Sequence, residues 1–393
     1  MAVTYDAHYA RKSTDNAQSA KSGKKGESYF DYVLLITVIC LAVFGVLMIY
    51  SASYYVGQKQ FDNPTFFLRN QLRNLAIGAV GMIATGFSKF NYRSFLKKIG
   101  PMRFVSWIYA MALIFQIAVL FIGEEVNYSK RWIRILGIQF QPAEVSKIAI
   151  ILLVASYIFY SSDMDLSNVV GIFRVAFWPA VIILFVAVEN LSSAIIMCVI
   201  VFGMCFVVAK RKLLYFLVMV ALPPLGFLAI KALGGYHSTR IDAWLNVETH
   251  PKGFQTLQGL YAIATGGLKG VGLGESIQKL GKIPEPYNDM IFSVICEELG
   301  VIGAVAVLLM FAILLWRIYT IAVTCRDRFA SMICVGVMIH IAIQVILNVA
   351  VVTNVIPNTG VSLPFISYGG SSVIFLMTEL GIVLGISRNR DRM

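Results

Sequence analysis

Pro284-Glu285-Pro286-Tyr287-Asn288-Asp289-Met290-Ile291-Phe292-Ser293-Val294-Ile295-Cys296-Glu297-Glu298-Leu299-Gly300 closes a long Gly-rich polar segment and runs into an apolar stretch that continues to Trp316. A switch from polar to apolar within so few residues marks an outer loop turning into a membrane-spanning helix. Asp289 therefore stands where loop meets membrane. At ~100° per residue Glu297 falls within a quadrant of Asp289, while Glu298 lies opposite. Carboxylates at membrane depth are costly and face a cavity or a partner. For Asp289 two readings stay open, a helix N-cap or chemistry; for Glu297 and Glu298 the plain reading is a buried structural ion pair.

Outward from this stretch the composition sets the class. The 393 residues are 58% hydrophobic and 14% charged, with a mean hydropathy of +0.75, as in a polytopic membrane protein. Apolar windows fall at 31–51, 74–88, 104–123, 146–160, 173–189, 191–209, 213–233, 290–316, 329–352 and 371–387. They predict an all-α bundle of about ten transmembrane helices, with a large outer loop (234–289) between helices 7 and 8. The shortest windows need flanking residues or the shelter of the bundle, and Glu189-Asn190 alone divides the fifth from the sixth. Residues 1–30 are polar and carry Arg11, Lys12, Lys21, Lys24 and Lys25. They lack the apolar core and cleavage site of a secretory signal, so they read as a disordered cytoplasmic tail. Residues 31–388 form the transmembrane domain, and 389–393 a short inner tail. The six cysteines fall in predicted helices or an inner loop, with no CxxC spacing, so neither outer disulfides nor a Cys metal site is expected.

With both termini inside, the inner segments hold 20 of the 33 Lys and Arg. The net charge of +12 is thus a topology signal, and no nucleic-acid-binding pattern accompanies it. The outer cations cluster as Lys130, Arg131, Arg134 and Lys147, then Arg240, Lys252, Lys269, Lys279 and Lys282. Anionic lipid head groups account for such clusters, as does a phosphate-binding rim at the mouth of a cavity.

Three stretches carry candidate chemistry. In the second outer loop, Lys130-Arg131-Trp132-Ile133-Arg134 precedes Gln141-Pro142-Ala143-Glu144-Val145-Ser146-Lys147. Pro142 suits a helix first turn, and Glu144 and Lys147 share a face, either as a structural pair or with Lys147 reaching a phosphate. Trp132 suits the interfacial belt. In the long loop, Ser238-Thr239-Arg240-Ile241-Asp242-Ala243-Trp244 leads to Gly266-Gly267-Leu268-Lys269-Gly270-Val271-Gly272-Leu273-Gly274 and Gln278-Lys279. Glycine at this density permits close backbone approach to a ligand, the plain alternative being a flexible loop; Leu257, Leu260, Tyr261 and Ile263 predict a short amphipathic helix in the interface. The last outer loop, Pro357 to Ser372, has two prolines and three glycines between Pro357 and Gly370. Such backbone is tolerated at membrane depth only where protein buries it or a cavity hydrates it, so it is expected to fold inward.

At these residues the chain resembles the SEDS family (shape, elongation, division and sporulation), which includes FtsW, RodA and SpoVE. The resemblance runs from Tyr32 to Arg388. It rests on Arg131-Trp132, the QPAE with Lys147, the GGxxGxGLGxSxQK segment, PExxxD with IFxxxxEELG, and LPFISYGGSS; Val361-Ser362-Leu363-Pro364 leans towards the FtsW/SpoVE branch. It implies a peptidoglycan glycosyltransferase that polymerises lipid II at the outer face of the bacterial plasma membrane, at the division septum or in related wall synthesis. It implies Asp289 as general base, and substrate contacts at Arg131, Trp132, Glu144, Lys147, Arg240, Lys279, Glu285 and Ser367, with Glu297 and Glu298 lining or supporting the cavity. The pyrophosphate leaving group would meet Arg, Lys or a divalent cation, Mg2+ or Mn2+, with no organic cofactor. The implied partners are a class B penicillin-binding protein as transpeptidase and other division proteins. Two departures stand out: Glu189-Asn190-Leu191-Ser192 where a Pro-Asp-Leu-Gly type is common, and Tyr287-Asn288 where His-Thr is commoner. The rival of a different class is a lipid II flippase, against which stand the lack of an internal repeat and the concentration of ionisable residues at the outer face.

Overall fold

The computed structural model describes residues 30–87, 91–126, 129–135, 138–161, 169–210, 212–213, 216–217, 220 and 236–389. Nine of the ten apolar windows coincide with described helices: α1 (Tyr32–Phe61), α2 (Phe66–Gly86), α3 (Phe104–Ile122), α4 (Pro142–Tyr160), α5 (Val169–Glu189), α6 (Leu191–Val208), and then α9 (Ile291–Thr324), α10 (Arg328–Val352) and α11 (Gly370–Asn389). The window at 213–233 and the tail 1–29 lie, but for a few residues of the former, outside the described residues. Seven of the described helices are long and apolar enough to cross a membrane. Two helices belong to the long outer loop, α7 (Tyr236–Leu245) and α8 (Phe254–Gly266). The buried face of α8 is made of small residues, Thr256, Gly259, Ala262 and Gly266, and Tyr261 points outward.

Caps and ion pairs fix the inner ends. Asp31 accepts the Leu34 N–H at 2.9 Å and pairs with Arg317 of α9 at 2.7 Å. Asp327 caps α10 at Phe329 N–H and pairs with Arg93 at 3.0 Å. A carboxylate at a helix start offsets both an orphan donor and the helix dipole. Two short antiparallel ribbons were not expected from the apolar windows. One, β1 (Lys98–Ile99) with β2 (Met102–Arg103), turns at Gly100-Pro101. The other is a meander in the second outer loop, β3 (Glu124–Val126), β4 (Ser129–Ile135) and β5 (Ile138–Phe140). Its central strand carries Trp132, Ile133 and Ile135, aromatic and β-branched residues that suit a strand.

The helix that follows Asp289 is broken at Gly300, whose φ of 67° and ψ of −169° no helix contains. The break is filled from the side by the Gly-rich segment. Val271 and Gly272 donate their N–H groups to the carbonyls of Glu297 and Glu298, at 2.9 and 3.0 Å, while Val301 and Ile302 donate to the carbonyls of Gly267 and Leu268, at 2.9 and 3.2 Å. Two helical hydrogen bonds are thus replaced by four to the loop, so no backbone group is stranded at membrane depth. Only glycine fits this approach: a Cβ on Gly266 would lie 1.9 Å from the Cys296 carbonyl oxygen, and one on Gly270, at φ +79°, 2.2 Å from that of Glu298. The glycines expected to approach a ligand here approach the helix.

The last outer loop folds inward. Leu363, Phe365, Ile366 and Ser367 are all buried, and the Tyr368 N–H donates to the Tyr287 carbonyl at 2.8 Å. Phe67, Tyr287 and Tyr368 pack their rings together, with centroids 4.2 to 5.7 Å apart. The segment carrying Asp289 is therefore held by α2, the last loop and the Gly-rich splice.

Candidate active site

Asp289 does not cap α9: the cap position is Met290, and no side-chain cap bond is made there. Its carboxylate instead meets two amides from two other outer segments. Gln255, in the first turn of α8, donates Nε2–H to Oδ1 at 3.3 Å, and the Asn358 side chain, which donates to Gln255 Oε1 at 3.3 Å, lies beside it. Asn348 of α10 donates to the Asp289 backbone carbonyl at 2.7 Å and to that of Val361 at 2.8 Å, so residue 289 is pinned on both sides. Arg240 of α7 donates to the Asn358 carbonyl at 3.2 Å. Burial pushes the Asp289 carboxyl up to about 6 and Glu285 adds to this, while its backbone N–H, the Asn358 amide and Arg240 pull it down. The side chain is half-buried and keeps contact with solvent.

Glu285 lies in the same turn, accepting from Asn288 Nδ2 at 2.6 Å. Its φ of 47° is a left-handed conformation that costs a side-chain-bearing residue about 1–3 kcal/mol. Ser367 is inward, its hydroxyl accepting the Leu363 N–H at 2.8 Å, as a staple of the loop.

The other expected site residues divide into separate places. Lys279 is not at an open rim: its ammonium donates to Glu298 Oε1 at 2.6 Å, Gly274 O at 2.7 Å and Ser51 Oγ at 2.8 Å, which exhausts its three protons. Ser51 also donates to Glu298. Glu297 accepts from the Ser276 hydroxyl and from Ile277 N–H. The two glutamates thus both anchor the 276–279 segment to the helix, and the ion pair expected for them is Glu298 with Lys279. Neither reaches Asp289. Glu144 and Lys147 form a buried pair at 2.8 Å in the first turn of α4, next to the start of α11, where Ser371 accepts the Gln141 N–H at 3.0 Å.

Arg131, in β4, donates Nε–H to the Glu189 carbonyl at 2.6 Å, and the Glu189 carboxylate accepts the Lys130 N–H at 2.8 Å. Trp132 is half-buried opposite Glu124. Asn190 caps α6 through Ser193 N–H at 3.1 Å, a task Asn performs as well as Asp. Departure from the commoner Asp at this position therefore leaves the cap intact. Sequence reasoning passed over Gln255, Asn348 and Asn358, because uncharged amides in three segments carry no signal until the fold gathers them. It also missed His340 and Glu379, which pair at 2.8 Å with both side chains 1% exposed, midway along α10 and α11. The ionisable residues are thus not confined to the outer face.

A family model described as cell cycle protein, covering FtsW, RodA and SpoVE, matches residues 31–392. The chain belongs to this family. Among FtsW/RodA/SpoVE members, it is 36% identical to the probable peptidoglycan glycosyltransferase FtsW of Trichlorobacter lovleyi, over 91% of this chain and 93% of that protein. It is 35% identical to stage V sporulation protein E of Bacillus subtilis, over 91% of this chain and 97% of that one. A chain from a solved peptidoglycan synthase complex that coordinates polymerization and crosslinking matches with a TM-score of 0.72 at 25% identity, covering 93% of this chain and 99% of that one. RodA of Thermus thermophilus shares the fold with a TM-score of 0.68 at 24% identity, over 92% and 98% of the two chains.

Among the described residues no three His, Cys, Asp or Glu side chains gather to hold an ion. Mg2+ is ordinarily held by one or two carboxylates together with water and substrate phosphates rather than by an all-protein cage.

Proposed function

We infer that this family member is a peptidoglycan glycosyltransferase that polymerises lipid II, the undecaprenyl-pyrophosphate-linked disaccharide peptide, at the outer face of the bacterial plasma membrane. The observation that carries the reading is the half-buried Asp289 carboxylate at the outer mouth of the bundle, held by neutral groups at a proton affinity near neutrality. A base needs both an open lone pair and a proton affinity close to the working pH. Above pH ~6 Asp289 takes the proton of the acceptor GlcNAc 4-hydroxyl while that oxygen bonds to the anomeric carbon of the donor MurNAc. The bond from that carbon to the pyrophosphate oxygen breaks, and its electron pair leaves with the pyrophosphate. One base suffices for an inverting transfer with so good a leaving group.

Arg131 and Arg240 lie on the outer segments and supply positive charge for the pyrophosphate. A divalent cation, where the reaction uses one, arrives on the substrate's phosphates. The partner is a class B penicillin-binding protein that cross-links the emerging strand, within the division machinery at the septum. One observation favours the flippase as a second reading: the His340–Glu379 pair deep between α10 and α11, since titratable groups at mid-membrane are what proton-driven transport employs.

Purified protein with its class B partner, in detergent with lipid II and a divalent cation, is expected to make long glycan strands, and Asp289→Ala to make none. A folded, fully active Asp289→Ala protein would remove Asp289 from the mechanism. No polymer from either sample, with the partner bound, would put lipid II translocation in reconstituted vesicles first.

A further inference from the structure

We propose that Gln255 and Asn358 are positioning residues for the glycosyl transfer, an amide pair that aims the Asp289 carboxylate and sets how readily it takes a proton. The proposal rests on the reading of Asp289 as the base and adds what tunes it.

The orientation of both amides is fixed by groups that can only donate or only accept. Gln255 Nε2 also donates to the Pro284 carbonyl, at 3.2 Å. A carbonyl only accepts, so the nitrogen end of this amide must face Pro284 and Asp289. Its Oε1 then receives Asn358 Nδ2 at 3.3 Å. Asn358 is set from its other end, because Oδ1 accepts the Gly360 N–H at 2.9 Å, turning its NH2 towards Gln255 and Asp289. Arg240 braces the same residue through its carbonyl. The result is a directed chain from α7 through the last outer loop and α8 to the carboxylate.

Neutral donors are the right chemistry for a base. A donor on a carboxylate favours its charged form, and a neutral donor does so without adding a charge of its own. Without donors, burial would push the carboxyl further up. The charged and titratable groups facing Asp289 are Glu285 in its own loop, which opposes the charge, and Arg240 from α7, which favours it; from α8 and the last outer loop come only amides.

The test is the pH dependence of lipid II polymerisation by the full chain. In Gln255→Leu the donor is gone, the carboxylate is harder to ionise, and the acid limb of the profile should rise by about one pH unit. The rate should then fall about fivefold near pH 6 and recover to within about twofold near pH 8, with KM changed by less than about twofold. Asn358→Ala should move the limb the same way by less. Gln255→Glu sets a second carboxylate against the first and should move it furthest.

An acid limb unmoved in these variants, or a loss uniform across pH, overturns the proposal while an inactive Asp289→Ala keeps the base. If Asp289→Ala itself polymerises, the base reading fails and the proposal with it. Should Gln255→Leu not accumulate, Asn358→Ala and Gln255→Glu carry the same measurement.

Discussion

Asp289 and Glu298 are two carboxylates on one segment, and their surroundings are opposite. Glu298 is fully enclosed, its Oε1 taking a proton each from Lys279 and Ser51. Asp289 keeps contact with solvent and is held by uncharged amides, with arginine one residue removed. A carboxylate with a lysine at 2.6 Å is committed to structure, because removing either partner leaves a buried charge without its counter-ion. A carboxylate held by amides remains free to gain and lose a proton. The same residue chemistry thus yields a girder at one place and a base at the other, and the fold decides which by the charge of the neighbour.

The largest effect that can break this comparison is the loss at Asp289, about 10²–10⁴-fold for removing a general base; a change at Glu298 that matched it without loss of stability would erase the distinction. Next is Lys279→Met, which leaves Glu298 buried and unpaired. It should cost about 3–5 kcal/mol, read as a drop in apparent Tm in detergent, and Lys279→Met with Glu298→Leu should recover most of it. A stable Lys279→Met protein with a raised KM would return Lys279 to the substrate. Arg131→Ala should come third, raising KM about tenfold through loss of one charged hydrogen bond while kcat holds within about threefold; an unchanged KM removes its phosphate role.

The smallest effect sharpens the comparison. Glu285 raises the Asp289 proton affinity, so Glu285→Gln lowers it. The group must be deprotonated to act, and its folded value of about 6 lies above the usual carboxylate range, so activity appears as pH rises through ~6. Glu285→Gln should shift that limb to lower pH by a few tenths of a unit. A shift upward would mean that Glu285 assists the base instead of opposing it. The sign for folding is separate: a carboxyl whose folded value is raised favours the folded state at low pH and weakens it as pH passes ~6.

Much of the bundle was legible in the sequence because spanning length is a one-dimensional property: each apolar window had to be a helix whatever its neighbours. The long loop was less legible. Leu257 to Ile263 gave the helix α8 by spacing, yet its buried side turned out to be Thr256, Gly259, Ala262 and Gly266, since α8 lies close against α9, with Gly259 facing Met290 and Ser293 and Gly266 facing the backbone of Cys296 and Glu297. Gly266 and Gly270 announced a close approach but could not say to what. Asp289 stood out as a charge at a boundary, whereas Gln255 and Asn358 are 103 residues apart, and nothing local pairs them. Glu297 and Glu298 are neighbours in sequence, yet only Glu298 is ion-paired, while Glu297 is held by the Ser276 hydroxyl and the Ile277 N–H.

The break at Gly300 also divides loads. Below it, Val301, Ile302, Val305, Leu309, Ile313 and Trp316 face outward, so that piece of α9 answers to the thickness of the lipid around it. Above it, the short piece from Ile291 to Leu299 is laced to residues 267–272 and rests on α8. The joint works as a lap splice: two lengths overlapped on a third, with residues 267–272 bonded to Glu297 and Glu298 above the break and to Val301 and Ile302 below it, so the piece that carries Asp289 is joined to the spanning piece through the outer cap as well as through the helix.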